Sequence, residues 1–335
     1  MHSDIAAYLG SGEVPNYYDL LTTEEIEAQG YPRLLESTLQ AEDKKRAISK
    51  LLQIKQHLLD CSVPMKRADN LLLCNWNLKE FGLASKHPEF YYYLAEIIFA
   101  FDLVVIQEVR RSIKELKILC RILGDDWRYL INDVTEGHSG NSERSAILFN
   151  TRRVEFNGFS GELVVDPGPQ LPRTPHITGF LTAWKRFSII NVHLKPGNEE
   201  QDALHRKAEL QAIMDTLSPK LATGGLGFEN IIISGDFNFY PSIDDASVEM
   251  LADYGFKQIE KLSTVDTTLA GNNFTYDRVF IRRDEYFEMI KDQQGNESAG
   301  VVEFRSLFEE EVTTYREMAT KDYKKRNPGK QLSNS

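Results

Sequence analysis

The stretch Ile231-Ile232-Ile233-Ser234-Gly235-Asp236-Phe237-Asn238 restricts the fold of this chain more than any other. Consecutive β-branched residues pack well on a pleated sheet and crowd a helix, so the isoleucines predict a strand buried on both faces. Glycine then permits a tight turn, and an acid and an amide emerge at the carboxyl end. Other apolar runs finish in the same way. Leu71-Leu72-Leu73-Cys74 leads to Asn77, Leu103-Val104-Val105-Ile106 leads to Glu108, and Phe187 to Val192 leads to His193. Tyr276 to Ile281 is a strand entered through Asp277. Further strands are predicted at Trp127 to Asn132, Ser145 to Asn150, Glu162 to Val165 and Ile177 to Trp184. Helices are predicted at Pro88 to Phe101, at Ser112 to Leu123 with Ser112 as a capping residue, at Glu199 to Leu217 and at Ser242 to Asp253. Strands alternating with helices, and in places following one another directly, imply two sheets faced by helices.

The flanking segments differ from this pattern. Residues 1–68 read as a helical extension, with apolar positions recurring at helical spacing from Leu34 to Leu59. Packing on the main domain is its expected role, and a protein-binding arm is the alternative. Residues 69–305 form the main domain, and residues 306–335 a charged helical segment with a polar tail. A short strand is expected at Val301 to Phe304.

Of the 335 residues, 41% are hydrophobic and 27% charged, which is the composition of a globular protein. No run approaches the roughly 18 apolar residues of a membrane span. The start, Met1-His2-Ser3-Asp4, has no signal-peptide character, so a cytoplasmic protein without a membrane partner is expected. Cys61, Cys74 and Cys120 lack metal-ligand spacing and read as reduced thiols. The net charge of -11 argues against coating nucleic acid through a broad basic surface. A phosphodiester-processing enzyme needs only a local positive site, which a cation and a few arginines can supply.

Asn77, Glu108, His193, Asp236, Asn238 and Asp277 all lie at strand termini and are expected to converge on one edge of the sheets. Glu108 with an amide oxygen suits magnesium, or manganese in its place, because such hard cations bind through few protein ligands and keep several waters. Too few histidines and no clustered cysteines are present for a typical zinc centre.

Taken in order, Leu-Leu-Leu-Cys-Asn-Trp-Asn77, Val-Val-Ile-Gln-Glu108-Val-Arg, Asn-Val-His193-Leu, Ser-Gly-Asp236-Phe-Asn238 and Tyr-Asp277-Arg-Val resemble the motifs of the endonuclease/exonuclease/phosphatase superfamily, in particular its deoxyribonuclease I-like branch. The resemblance covers about residues 69–305. It implies a four-layer α/β/β/α sandwich and a magnesium-dependent phosphodiesterase, most simply a nuclease acting on DNA rather than RNA. On this resemblance Glu108 and Asn77 hold the metal, Asp236 orients or deprotonates the attacking water, Asn238 binds the scissile phosphate and His193 hydrogen-bonds or protonates it. Asp277 would orient His193, and Arg173 would contact phosphate. Glu143 resembles the glutamate that pairs with a histidine near the family's C-terminus.

That last histidine is absent: none follows His205. The reading favoured is a final strand lying beyond Ser335, so the chain as given is expected to be nearly inactive. A phosphatase acting on soluble phosphate esters and a non-catalytic binding protein of the same fold are the alternatives.

Overall fold

The computed structural model describes residues 41–326 and 328, apart from residues 62, 84–85, 135–141, 166–169, 184, 224–229, 268–274, 285 and 293. The first forty residues of the expected extension and the end of the polar tail lie outside the described residues. The first described helix is α1 (Ala41–Asp60). The main domain then runs β1 (Leu73–Phe81), α2 (Pro88–Phe99), β2 (Leu103–Arg110), α3 (Lys114–Leu123), β3 (Trp127–Ile131), β4 (Glu143–Asn150), β5 (Glu155–Glu162), β6 (His176–Thr182) and β7 (Lys185–His193). After α4 (Glu200–Thr223) come β8 (Ile231–Asp236), α5 (Asp245–Asp253), β9 (Lys257–Gln258), α6 (Glu260–Ser263) and β10 (Asp277–Arg282). A 3-10 turn (Arg305–Phe308) and α7 (Val312–Arg326) follow.

The strands form a four-stranded sheet in the order β1-β2-β4-β3 and a six-stranded sheet in the order β5-β6-β7-β8-β10-β9. Each sheet holds one parallel pair, β1 with β2 and β7 with β8. Both parallel pairs are joined through a helix, as such crossovers require.

Alternation along each strand sorts the residues into layers. Leu103 and Val105 of β2 face Phe187, Ile189, Ile232 and Val279 in the core between the sheets. Their neighbours Val104 and Ile106 face the opposite way, against Leu94 and Ile98 of α2 and Leu116 and Leu119 of α3. On the other sheet Ile231 and Ile233 point outward to Leu210, Met214 and Leu217 of α4. Three successive cores make an α/β/β/α sandwich, in agreement with the fold read from the motifs.

The terminal helices share a fourth cluster. Ala47, Leu51, Ile54 and Leu58, at spacings of three and four, place one face of α1 on Tyr93, Ile97 and Ala100, beside Phe308 and Tyr315. Buried Glu89 accepts hydrogen bonds from Arg46 of α1, Tyr93 of α2 and Tyr315 of α7, joining both terminal helices to the domain. No described helix is long and apolar enough to cross a membrane.

Three sequence expectations change. Helix α3 starts at Lys114 rather than Ser112, with Ile113 at the cap position, while Ser112 Oγ accepts the Lys114 N–H at 3.4 Å from just outside the helix. The strand expected at Glu162 to Val165 ends at Glu162, because its ladder with β6 runs from Glu155 to that residue. Residues 301–304 are irregular: Phe304 packs on the Trp76 ring at 5.2 Å instead of joining a ladder.

Candidate active site

Register assembles the site. His193 lies opposite Asp236 in the β7–β8 pair, and Asp236 opposite Asp277 in the β8–β10 pair, so three adjacent strands end in one polar row. All three share the face that carries Ile189, Ile232 and Val279, the face turned to the other sheet. Close approach of β7 and β8 imposes the glycine of the octapeptide, since a Cβ on Gly235 would stand 1.9 Å from the Val192 carbonyl oxygen.

The four-stranded sheet closes the site through Asn77. Its Nδ2 donates to Asp236 Oδ2 at 2.9 Å and to Glu108 Oε1 at 2.9 Å, tying the two sheets together. Strict alternation would turn Glu108 away from this edge. The register slips between Ile106 and Val109, and Glu108 takes φ 59°, a left-handed conformation costing about 1–3 kcal/mol in a non-glycine residue. Its carboxylate thereby reaches Asn77 and the Glu80 N–H at 3.0 Å. Asn238 also adopts a positive φ, 50°, which asparagine tolerates better than most residues. Its N–H donates to Asp236 Oδ1 at 3.0 Å, and its Nδ2 to the Leu194 carbonyl at 3.0 Å.

His193 stands between two carboxylates, with Nδ1 3.3 Å from Glu143 Oε2 and Nε2 3.8 Å from Asp236 Oδ2. Glu143 also receives Arg173 Nε at 3.1 Å and lies 3.8 Å from Arg110 Nη1. Burial works to raise the Glu143 carboxyl, but the His193 hydrogen bond and the Arg173 charge outweigh it and hold the group down at about 2. Asp277 behaves oppositely. Burial and the Asp236 charge push its carboxyl well above the ordinary carboxylate range.

This geometry corrects the pairing expected from sequence. Asp277 does not orient His193; its Oδ1 accepts Asn75 Nδ2 at 2.6 Å, and the carboxylate at His193 Nδ1 belongs to Glu143. The ladders decide this: β4 lies in the four-stranded sheet, and its Glu143 projects across the gap to β7. The partner assigned to a histidine near the C-terminus is thus engaged by His193.

Sequence reading missed a second polar layer. Gln107 Nε2 donates to Asn75 Oδ1 at 3.0 Å and to Asn191 Oδ1 at 2.8 Å, and Ser234 Oγ to Asn75 Oδ1 at 3.2 Å. Three of these residues lie two positions before a site residue, Asn75 before Asn77, Asn191 before His193 and Ser234 before Asp236, which is the same-face spacing of a strand. That spacing was the available signal.

Among the described residues no group of three or more His, Cys, Asp or Glu could hold a metal ion. The Glu108 carboxylate suits a sparsely held hard cation, since magnesium binds through one or two carboxylates and keeps its waters; Asn77, whose Nδ2 faces Glu108 and whose Oδ1 accepts the Lys79 N–H at 2.9 Å, would join it through the remaining lone pair of that oxygen.

Sequence comparison gives the wider setting. Deoxyribonuclease-1 of Canis lupus familiaris is 26% identical over 227 residues, covering 63% of this chain and 76% of the relative. Deoxyribonuclease-1 of Bos taurus is 23% identical over 228 residues, covering 63% and 77%. The chain is thus similar in sequence to deoxyribonuclease-1 over about two thirds of its length. Its motifs resemble those of the endonuclease/exonuclease/phosphatase superfamily. No family model matches the chain. Solved structures similar to it include humanized D. rerio TDP2, with a TM-score of 0.46, 18% identity and coverage of 68% of this chain and 94% of that one. The human Nocturnin catalytic domain with bound sulfate anion has a TM-score of 0.46 and 16% identity, covering 65% and 84%.

Proposed function

We propose that this chain is a magnesium-dependent phosphodiesterase that hydrolyses nucleic acid, DNA in preference to RNA, by attack of an activated water. One observation carries the reading: Glu108, Asn77, Asp236, His193 and Glu143 form a continuous chain of contacts across the sandwich edge. Support for DNA comes from the deoxyribonuclease-1 relatives.

Each side chain has a task in the proposed reaction. Asp236, fixed by the Asn238 N–H and the Asn77 amide, orients the attacking water and accepts its proton. Glu143 holds one proton of His193 on Nδ1, so that the doubly protonated ring presents its second proton from Nε2 to the phosphate. Asn238 spends one amide hydrogen on the Leu194 carbonyl and retains the other for a phosphate oxygen. Arg110 and Arg173 supply a local positive field in a chain of net charge -11. Magnesium held by Glu108 and Asn77 would neutralise charge on the phosphate oxygens. In this reading His193 protonates the leaving oxygen from Nε2.

The test is hydrolysis of duplex DNA, RNA and a soluble phosphomonoester with magnesium or with a chelator. The expected result is magnesium-dependent DNA cleavage that disappears in Asp236→Ala and Glu108→Ala. Cleavage unchanged in both variants would refute the site. Hydrolysis confined to the monoester would replace the nuclease reading with a phosphatase.

A further inference from the structure

Asn238 and His193 leave different strands, yet both exits are gripped by one turn of α4. Arg206 is fully buried and donates Nε and Nη2 to the two Asp244 oxygens at 2.9 and 2.7 Å. Its Nη1 donates to the Lys195 and Gly197 carbonyls at 3.2 and 2.7 Å. Asp244 in turn accepts the Tyr240 N–H at 2.9 Å, which folds the loop carrying Asn238 onto the same arginine. One turn along the helix, Glu209 accepts the Lys195 N–H at 3.1 Å. The Lys195 ammonium is held as well, 2.7 Å from Asp202. Loop and helix are pressed so closely that a Cβ on Gly197 would lie 2.0 Å from Asp202 Oδ2.

The peptide unit between Leu194 and Lys195 links this grip to the site. Its N–H goes to Glu209, and its C=O accepts the Asn238 side-chain amide at 3.0 Å. The two groups belong to one rigid plane, so fixing one end orients the other.

We propose that Glu209 and Arg206 are positioning residues for the hydrolysis proposed above, Glu209 acting through this peptide plane and Arg206 through the following carbonyl, that of Lys195, and through Asp244, to set the Asn238 amide relative to His193. The inference rests on that reading of the site. Neither residue needs to touch substrate, and displacement of a catalytic group by about 1 Å is enough to cost on the order of 100-fold in rate.

The test compares Glu209→Ala with Glu209→Gln, which keeps an oxygen for the Lys195 N–H. Glu209→Ala is expected to lower kcat on duplex DNA by about 10- to 100-fold with KM nearly unchanged, and Glu209→Gln to restore most of it. Independently of turnover, NMR of protein labelled at asparagine nitrogen should show the Asn238 amide shifted, with hydrogen exchange faster by about tenfold, in Glu209→Ala but not in Glu209→Gln. Arg206→Lys, which keeps the charge and loses the fork, should perturb the same resonance and supplies the comparison if Glu209→Ala does not fold. An Asn238 amide unmoved in Glu209→Ala or, failing that variant, in Arg206→Lys would overturn the proposal, as would equal losses of kcat in the two Glu209 variants. A wild-type chain that shows the NMR coupling and never cleaves DNA would defeat the functional reading alone.

Discussion

His193 turns its Nδ1 to the Glu143 carboxylate at 3.3 Å, across the gap between the two sheets. Glu143→Gln removes the charge that orients this ring and is expected to lower kcat by about 10²- to 10⁴-fold. The carboxyl is held down at about 2, below its ordinary 4.5. Its contribution to stability is therefore complete above about 4.5 and lost as pH falls toward 2. Thermal melts of wild type and Glu143→Gln between pH 2 and 5 should converge at the acid end.

Glu108 and Asp236 share Asn77 but separate in their proposed roles. Glu108→Gln is expected to weaken magnesium binding by about 10-fold or more. Asp236→Asn should lower kcat by about 10²-fold or more, with the magnesium requirement nearly unchanged. Titration calorimetry with magnesium distinguishes the two, and wild-type affinity in Glu108→Gln would remove Glu108 from the metal site.

At Gly235 the obstacle is a backbone carbonyl, which cannot rotate away as a flexible side chain can. Gly235→Ala is expected to destabilise the protein by about 3 kcal/mol, the upper end for overpacking. Urea denaturation measures it, and a loss below about 1 kcal/mol would mean that β7 and β8 separate easily.

His176 lies buried with Nε2 on the Ser160 and Thr178 hydroxyls at 2.8 and 3.1 Å. Burial lowers its pKa from 6.5 to about 4, so the unfolded chain binds the proton more tightly. Stability from this residue is present above about 6.5 and falls as pH drops toward 4. His176→Gln should flatten the melting temperature across that window.

Asp277 has the opposite sign, its carboxyl raised by burial and by Asp236. Stability is present below the ordinary carboxylate range and is lost as pH rises through the folded value. The neutral isostere Asp277→Asn should therefore gain stability over wild type on the alkaline side, as read from denaturant midpoints against pH.

Layer order and the main strands were legible because side-chain type and alternation are local properties. Val104 and Ile106 face helices while Leu103 and Val105 face the other sheet, and the unbroken apolar run already required cover on both sides. The start of α3 was legible only to within two residues: Ser112 Oγ accepts the Lys114 N–H at 3.4 Å, but Ile113 takes the cap position. Arg206 and Glu209 look like ordinary polar positions of an amphipathic helix until the 194–197 loop is seen folded onto them.

The sequence by itself determined which residues reach the strand ends, since a buried strand of fixed period leaves little choice about where Asp236 and His193 emerge; the face that Glu108 takes was not so fixed. Which of them meet was decided by tertiary structure alone. Partner choice depends on strand order, on a register slip beside Glu108 and on the facing of two sheets, and none of these is encoded within a single strand. Glu143 and His193 are fifty residues apart in sequence and belong to different sheets, and only sandwich closure gives each its charge partner.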